Sequence, residues 1–273
     1  MGLPKARVLH QAGHFGEWLQ GRLGPEGPVA LVSLPCPHPV LQVSYLPGQG
    51  PLRVQGAGLS TGRARRFLRA LGCTLVGHVR LRALVPPGQG MGVSTASLVA
   101  LARLAGVCGP DPALVRACLR SEGASDPIWL DQPERVLWAS REGRSLQPLP
   151  PLPGYQIIGG LWGHGQRTDP RDTRFPDISD LVADWAQARD LAEFAALATL
   201  SAKRCLNLRG RADDPTAQLA ARVGALGWVA AHTGSARGLI FAPGTLPQGA
   251  AAEMRAAGFR NLVTFRAGSD QTD

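Results

Sequence analysis

Between His78 and Val85 the chain alternates strictly. Val79, Leu81, Ala83 and Val85 fall on one side, and His78, Arg80, Arg82 and Leu84 on the other. A period of two predicts a half-buried strand. Upstream, Val29–Tyr45 is apolar and β-branched but carries Pro35, Pro37 and Pro39. Proline brings no ladder donor, so this stretch predicts strands with an edge or a bulge. From Ser94 to Val107 small and apolar residues lie almost all round, which predicts a buried helix. Asp111-Pro112, an N-cap followed by a first-turn proline, opens a second helix running to about Arg120. Ser121–Pro127 reads as a polar turn, and the Pro/Leu-rich stretch Gln147–Gly154 as a linker. Tyr155–Leu161 then reads as a strand, followed by a polar loop to Pro176. Leu181–Ala202 reads as one long Ala/Leu-rich helix. Asp214-Pro215 caps another, with Leu219, Val223, Leu226 and Val229 on one face. A strand at Gly238–Ala242, a helix at Gln248–Ala257 closed by Gly258, and a strand at Asn261–Arg266 complete the pattern. Helices and strands alternate irregularly, which suggests an α+β protein in two layers. The linker divides it into 1–150 and 151–273.

The length of 273 residues allows a sizeable core. No apolar run approaches the ~18 residues of a membrane span, and Met1–Gln11 lacks the apolar stretch of a secretory signal. The expectation is a soluble, cytoplasmic protein with no membrane partner. The net charge of +9 raises nucleic acid as a partner. The arginines are scattered, however, and the only lysines are Lys5 and Lys203. Arg63, Arg65 and Arg66 form a local cluster read as the solvated face of a helix. Aromatic residues, at 5%, are too sparse for a stacking platform. The charge is therefore read as a field for a small anionic substrate rather than for nucleic acid. The five cysteines are widely spaced, with no C-x-x-C pair and no zinc spacing, and read as reduced thiols. Trp18, Trp129 and Trp162 read as core.

The densest chemistry lies in Pro86-Pro87-Gly88-Gln89-Gly90-Met91-Gly92-Val93-Ser94-Thr95-Ala96-Ser97. Glycines let the backbone approach an anion, and the first N–H groups of the following helix point at it. The loop is not a Walker A loop, because no Lys follows Gly92. Nor is it a dinucleotide fingerprint: the spacing is Gly88-x-Gly90-x-Gly92, with no acidic residue closing a second strand. Protein-kinase signatures are absent.

The loop resembles the second motif of the GHMP kinases (galacto-, homoserine, mevalonate and phosphomevalonate kinases), P-x-x-x-G-L-G-S-S-A-A, with Val93 in place of the first serine and Thr95 in place of the first alanine. Ala231-His232-Thr233-Gly234-Ser235-Ala236-Arg237-Gly238-Leu239 resembles the third motif. Gly13-His14-Phe15-Gly16-Glu17-Trp18-Leu19-Gln20-Gly21 stands where the first belongs. Gly16-Glu17-x-Leu19-Gln20-Gly21, Gly90-Met91-x-x-Ser94-Thr95-Ala96, Ser125-Asp126 and Ala231–Gly234 are similar to the propanediol-utilisation (PduX-like) branch, the L-threonine kinases. His14-Phe15 and Pro127 depart from that branch.

The resemblance implies the GHMP kinase fold: an N-terminal ribosomal-protein-S5-like α/β domain followed by a ferredoxin-like α+β domain. It implies ATP and Mg²⁺ as cofactors and a small hydroxylated acceptor, L-threonine first, then L-serine, homoserine or another small alcohol. A ligand-binding protein of the same fold without turnover is the alternative. Pro87, Gly88, Gln89, Gly90, Met91, Gly92, Val93, Ser94 and Thr95 would hold the phosphates. Ser94 and Glu122 would hold the metal. Asp126, with Asp131 as competitor, would receive or orient the acceptor hydroxyl. Glu17 and His14 would stand near the acceptor, Thr233, Gly234 and Ser235 would hold the phosphate loop or the acceptor, and Arg167, Arg171 or Arg174 would meet a carboxylate. His14 reads as a pocket wall and His232 as a packing residue. The oligomeric state stays open, a homodimer included.

Overall fold

The computed structural model describes residues 6–109, 111–166 and 168–269. Its frame begins with two long strands, β1 (Arg7–Arg22) and β2 (Val29–Pro51), followed by β3 (Arg53–Gly56), α1 (Thr61–Ala70) and β4 (Val76–Ala83). Then come α2 (Val93–Leu104), α3 (Pro112–Glu122) and a hairpin of β5 (Val136–Ala139) and β6 (Arg144–Pro148). The remainder is β7 (Tyr155–Leu161), α4 (Ser179–Trp185), α5 (Leu191–Arg209), α6 (Thr216–Arg222), β8 (Gly227–Ala230), β9 (Ala236–Phe241), α7 (Ala250–Ala256) and β10 (Arg260–Ala267). One sheet runs in the order β10-β7-β9-β8-β1-β2-β4-β3, with the β5–β6 hairpin attached to β2. Its pairs are antiparallel except β3 with β4.

The prolines of β2 determine where this sheet is irregular. Pro39 faces Ala12 and Pro35 faces His14, and the β1 register shifts between Gln11 and Gly13 and again between His14 and Leu19. A proline offers no N–H to its neighbour, so β1 bulges opposite it. Gly16, at φ +79°, lies in the second bulge. Beyond it Glu17 pairs with Ser33 on one side and Ala230 on the other. The bulge thus turns Gly13–Glu17 out of regular alternation at the centre of the sheet.

The half-buried strand expected at His78–Val85 is β4, with Val79 and Leu81 buried. The expected buried helix is α2, buried from Thr95 through Ala102. Asp111 caps α3, accepting from Ala113 N at 2.7 Å. Trp18, Tyr155, Trp185 and Phe194 form an aromatic core under β1 and β7, with ring centroids 4.7–6.0 Å apart in edge-to-face contacts. Trp129 is also buried, whereas Trp162 is only partly so. The five cysteines are free. Among the described residues no helix is long and apolar enough to cross a membrane.

Three expectations are corrected. The single helix at Leu181–Ala202 is two, α4 and α5, broken at Ala186–Asp190. Asp190 accepts from Glu193 N at 2.9 Å while the Glu193 carboxylate accepts from Arg189 N at 2.6 Å. This reciprocal capping starts a new helix inside an apolar-periodic stretch. Asp190→Ala is expected to lower stability by about 1 kcal/mol, the usual cost of a lost N-cap, measured by urea denaturation. The face Leu219, Val223, Leu226 and Val229 does not lie on one helix. The helix α6 stops at Arg222, Leu226 is exposed, and Val229 is in β8. Finally, Ser121 and Glu122 belong to the last turn of α3, and only Gly123, at φ +75°, starts the turn.

Candidate active site

The connection from β4 to α2 brings Gly88, Gly90 and Gly92 into left-handed conformations at φ +82°, +75° and +72°. Two of them have no room for a side chain. A Cβ on Gly90 would lie 2.2 Å from Thr233 O, and one on Gly92 2.7 Å from the His14 ring. Gly92 is the N-cap of α2 and has no side chain to accept from the first helical N–H groups. These donors are left open to a cleft of about 560 Å³ lined by Pro87–Thr95, His14, Glu17, Glu122, Asp126, Arg141, His232 and Thr233. An uncapped helix N-terminus behind a glycine loop attracts an anion through oriented N–H groups and the helix dipole. Val93 and Met91 are buried, so they offer the cleft mainly backbone.

The loop is pinned from behind. Gln89 O accepts from Ser235 N at 3.2 Å and Ala236 N at 3.0 Å, and Ser235 Oγ bonds to Gln89 Oε1. Gln166 N donates to Gly88 O at 2.7 Å. Thr233 reaches the cleft, its hydroxyl 2.8 Å from that of Thr168. Gly234 and Ser235 stand behind Gln89 and do not line the cleft.

At the head of α2, Ser94 Oγ donates to Glu122 Oε1, and Thr95 Oγ1 donates to Glu122 Oε2 at 3.0 Å. Arg63 Nη2 donates to Glu122 Oε1 at 2.8 Å and its Nε to Ser121 Oγ at 2.9 Å. The expected solvated arginine face holds for Arg65 and Arg66, both exposed, with Arg65 also bonding to Leu52 O, and is corrected at Arg63, which turns into the site. A carboxylate as enclosed as Glu122 needs a partner, and Arg63 is within reach. Burial raises the Glu122 pKa, opposed by Ser94, Arg63 and Thr95.

Deeper in the cleft, His14 lies between two carboxylates. Its Nδ1 is 3.3 Å from Glu17 Oε1 and its Nε2 3.3 Å from Asp126 Oδ2. His14 and Glu17 are buried, whereas the Asp126 side chain is 27% exposed and reachable from the cleft. Burial lowers the His14 pKa, but Glu17 and Asp126 outweigh it and push it up to about 9. Glu17 is raised to about 8, mainly by burial against the counter-effect of His14. Asp126 moves down, because His14 overcomes the burial that would raise it. Near neutral pH this favours imidazolium beside an ionised Asp126, with Glu17 carrying a proton. Asp131 is exposed and does not line the cleft.

The far wall is cationic and aromatic. The Phe175 ring packs on His232, centroids 4.1 Å apart, and Arg209 and Arg141 lie 4.1 Å and 5.6 Å from its centroid. Arg209 pairs with Asp172 at 2.8 Å. Burial first, then Arg209 and Arg141, lowers the His232 pKa to about 3, so its imidazole is neutral. Arg141 was not singled out in the sequence. Of the three arginines that were, Arg171 is 91% exposed and Arg174 is exposed, and neither lines the cleft. Arg167 lies outside the described residues.

The donor set fits a phosphate group with Mg²⁺. Among the described residues no group of three or more His, Cys, Asp or Glu is placed to hold a metal by itself. Mg²⁺ accepts one or two carboxylates completed by phosphate oxygens and water, so Ser94 and Glu122 beside a phosphate cradle suit it.

No protein-family model and no curated protein matches the chain in sequence. Solved structures do match its fold. Phosphomevalonate kinase from Streptococcus pneumoniae is 10% identical, with a TM-score of 0.65 over 98% of this chain and 100% of that one. Homoserine kinase from Cytophaga hutchinsonii is 15% identical, with a TM-score of 0.57 over 98% and 96%. Mevalonate kinase from Methanococcus jannaschii is 11% identical, with a TM-score of 0.59 over 97% and 98%. Along nearly its whole length, then, this α+β chain has the GHMP kinase fold.

Proposed function

We propose that the chain is a small-molecule kinase that moves the γ-phosphoryl group of ATP, with Mg²⁺, to the hydroxyl of an acceptor bound against Asp126. The observation that carries this reading is one cleft holding both an open phosphate cradle and a carboxylate clamped by a buried imidazole. Domains 1–150 and 151–273 are part of the same proposal.

ATP supplies the transferring group, and Mg²⁺ offsets charge on its oxygens. The chain's own part is positioning. The backbone N–H groups of the Gly88–Ser94 loop and the α2 N-terminus receive phosphate oxygens. Ser94 and Glu122 fix the metal edge of the site, with Arg63 limiting how far Glu122 swings. Asp126 accepts a hydrogen bond from the acceptor hydroxyl, orients it and takes its proton as the new P–O bond forms and the bond from the γ-phosphorus to the bridging oxygen breaks, releasing ADP. A carboxylate with a lowered pKa is a weak base, which suffices where the hydroxyl loses its proton late. His14 holds Asp126 in place. Thr233 borders the acceptor, while Gly234 and Ser235 act by bracing Gln89.

The preferred acceptor is L-threonine, giving L-threonine O-3-phosphate for the aminopropanol linker of cobalamin. Its support is the spelling of Gly16–Gly21, Gly90–Ala96 and Ser125-Asp126. L-Serine, homoserine and other small alcohols follow. Ser94→Ala is expected to lower kcat about 10- to 100-fold, the factor for losing a hydrogen bond to a charged group, with the thermal unfolding midpoint nearly unchanged. Wild-type turnover in a coupled ADP-release assay would remove Ser94 from the site.

A further inference from the structure

Among the described residues that line the cleft, Arg141 is a charged side chain that neither the phosphate cradle nor the Asp126 clamp uses. It sits in the four-residue turn Ser140–Gly143 between β5 and β6. The turn is held by Glu142 N and Gly143 N donating to Ala139 O at 3.1 and 2.8 Å, and by Ser125 N donating to Ser140 O at 2.8 Å. The side chain leans over Phe175 and lines the cleft. Its Nε and Nη1 are sealed from solvent and find no hydrogen-bond partner among the described residues. A guanidinium is always charged, and two idle buried donors are costly unless something completes them.

The surroundings indicate what completes them. Asp172 is the strongest influence that favours the charged form, but it is already paired with Arg209. Weaker influences are Arg209, Asp169 and Arg22. Arg141, Arg209 and Asp172, grouped at Phe175, leave one positive charge, and Asp169 is paired with Arg171. The wall therefore suits a monoanion better than a phosphate dianion. His232 lines the same cleft as Asp126, His14 and Arg141, and its ring packs on Phe175, over which Arg141 leans.

We infer that Arg141 binds a carboxylate of the acceptor, and that the acceptor spans the cleft with its hydroxyl at Asp126 and its carboxylate at Arg141. The inference rests on the kinase reading for the hydroxyl end only. It makes the substrate class a hydroxylated carboxylic acid, and it makes Arg141 a specificity-determining residue.

The test uses the full chain and reads binding apart from turnover. Wild type, Arg141→Met and Arg141→Lys are titrated calorimetrically, with a non-hydrolysable ATP analogue present. The probes are L-threonine, L-serine and L-homoserine, L-threoninamide, which lacks the carboxylate, and glycerol 3-phosphate as the phosphate arm. Affinity for the ATP analogue alone reports on folding and on the phosphate loop. At least one of the three carboxylates is expected to bind wild type and to lose about 10- to 100-fold in affinity in Arg141→Met, as expected for a charge-assisted hydrogen bond. Partial recovery in Arg141→Lys and unchanged affinity for the analogue are expected alongside. L-Threoninamide is expected to be as weak with wild type as the acid is with the Met variant. The inference is overturned if no carboxylate binds, if the amide binds as well as the acid, if only glycerol 3-phosphate responds to Arg141, or if Arg141→Met binds like wild type. Arg141-dependent carboxylate binding without phosphoryl transfer would sink the kinase reading and leave the inference standing. Transfer to an alcohol indifferent to Arg141 would do the reverse.

Discussion

Asp126→Asn is expected to lower kcat by about 10²- to 10⁴-fold, the range for removing a positioned acid–base group, while leaving ATP affinity close to wild type. The asymmetry follows from the geometry. Asp126 Oδ2 is 3.3 Å from His14 Nε2, whereas the phosphate cradle is built from the Gly88–Ser94 backbone. An amide keeps the size of the side chain but cannot accept a proton or balance the imidazolium. Stability should change with pH as well. His14 is raised to about 9 and Glu17 to about 8, so both hold more protons in the folded than in the unfolded chain. Stability falls with rising pH wherever the folded state binds more protons. The His14 contribution is thus complete below its ordinary value of 6.5 and is lost as pH rises through about 9. Wild type should therefore denature at lower urea concentration at pH 9 than at pH 7, and Asp126→Asn should flatten that difference. Full activity in Asp126→Asn would leave Asp126 without the role assigned to it.

Gly90→Ala is the second large effect and acts through structure. The residue sits at φ +75°, where a side chain is strained, and its Cβ would meet Thr233 O at 2.2 Å and the Ala231 side chain at 2.3 Å. Neither the loop nor the Ala231–Ser235 turn can yield alone, because Gln89 is bonded to Ser235 and Ala236. Backbone strain of this kind costs about 1–3 kcal/mol, before the collision is counted. The expected result is a lower unfolding midpoint together with loss of ATP-analogue binding. Gly24→Ala serves as the control: it has a similar φ of +77° but open space around its Cβ. It should show a smaller destabilisation and unaltered analogue binding. Retention of analogue affinity in Gly90→Ala would separate the cradle from the nucleotide.

What the sequence made legible was local. Glycines at alternate positions before a small-residue run spell a cradle because the backbone alone performs the task. The strict alternation of His78–Val85 survives as β4 because one face is buried. The break between α4 and α5 was also present, as Asp190-x-x-Glu193, but the Ala/Leu periodicity on both sides hid it. β8 is four residues long and wholly buried, so neither a period of two nor one of 3.6 can declare itself. The arginines of the cleft were illegible for a different reason. Arg63 and Arg141 sit in unremarkable helical and turn contexts, and only the tertiary structure brings one to Glu122 and leaves Nε and Nη1 of the other without a hydrogen-bond partner among the described residues. Conversely, Arg171 and Arg174 stood in a polar loop that invited a binding role, and they point to solvent. Charge in a loop is visible in sequence, whereas burial of charge is a property of the fold.

The central claim is phosphoryl transfer to an acceptor hydroxyl. Its most direct test is ³¹P NMR of the full chain incubated with ATP, Mg²⁺ and L-threonine, followed by the same experiment with L-serine and homoserine. The account predicts ADP together with a new phosphomonoester resonance whose growth depends on the acceptor and is strongly slowed by Asp126→Asn. ATP left intact with every acceptor, or hydrolysed to inorganic phosphate at a rate indifferent to them all, would contradict it.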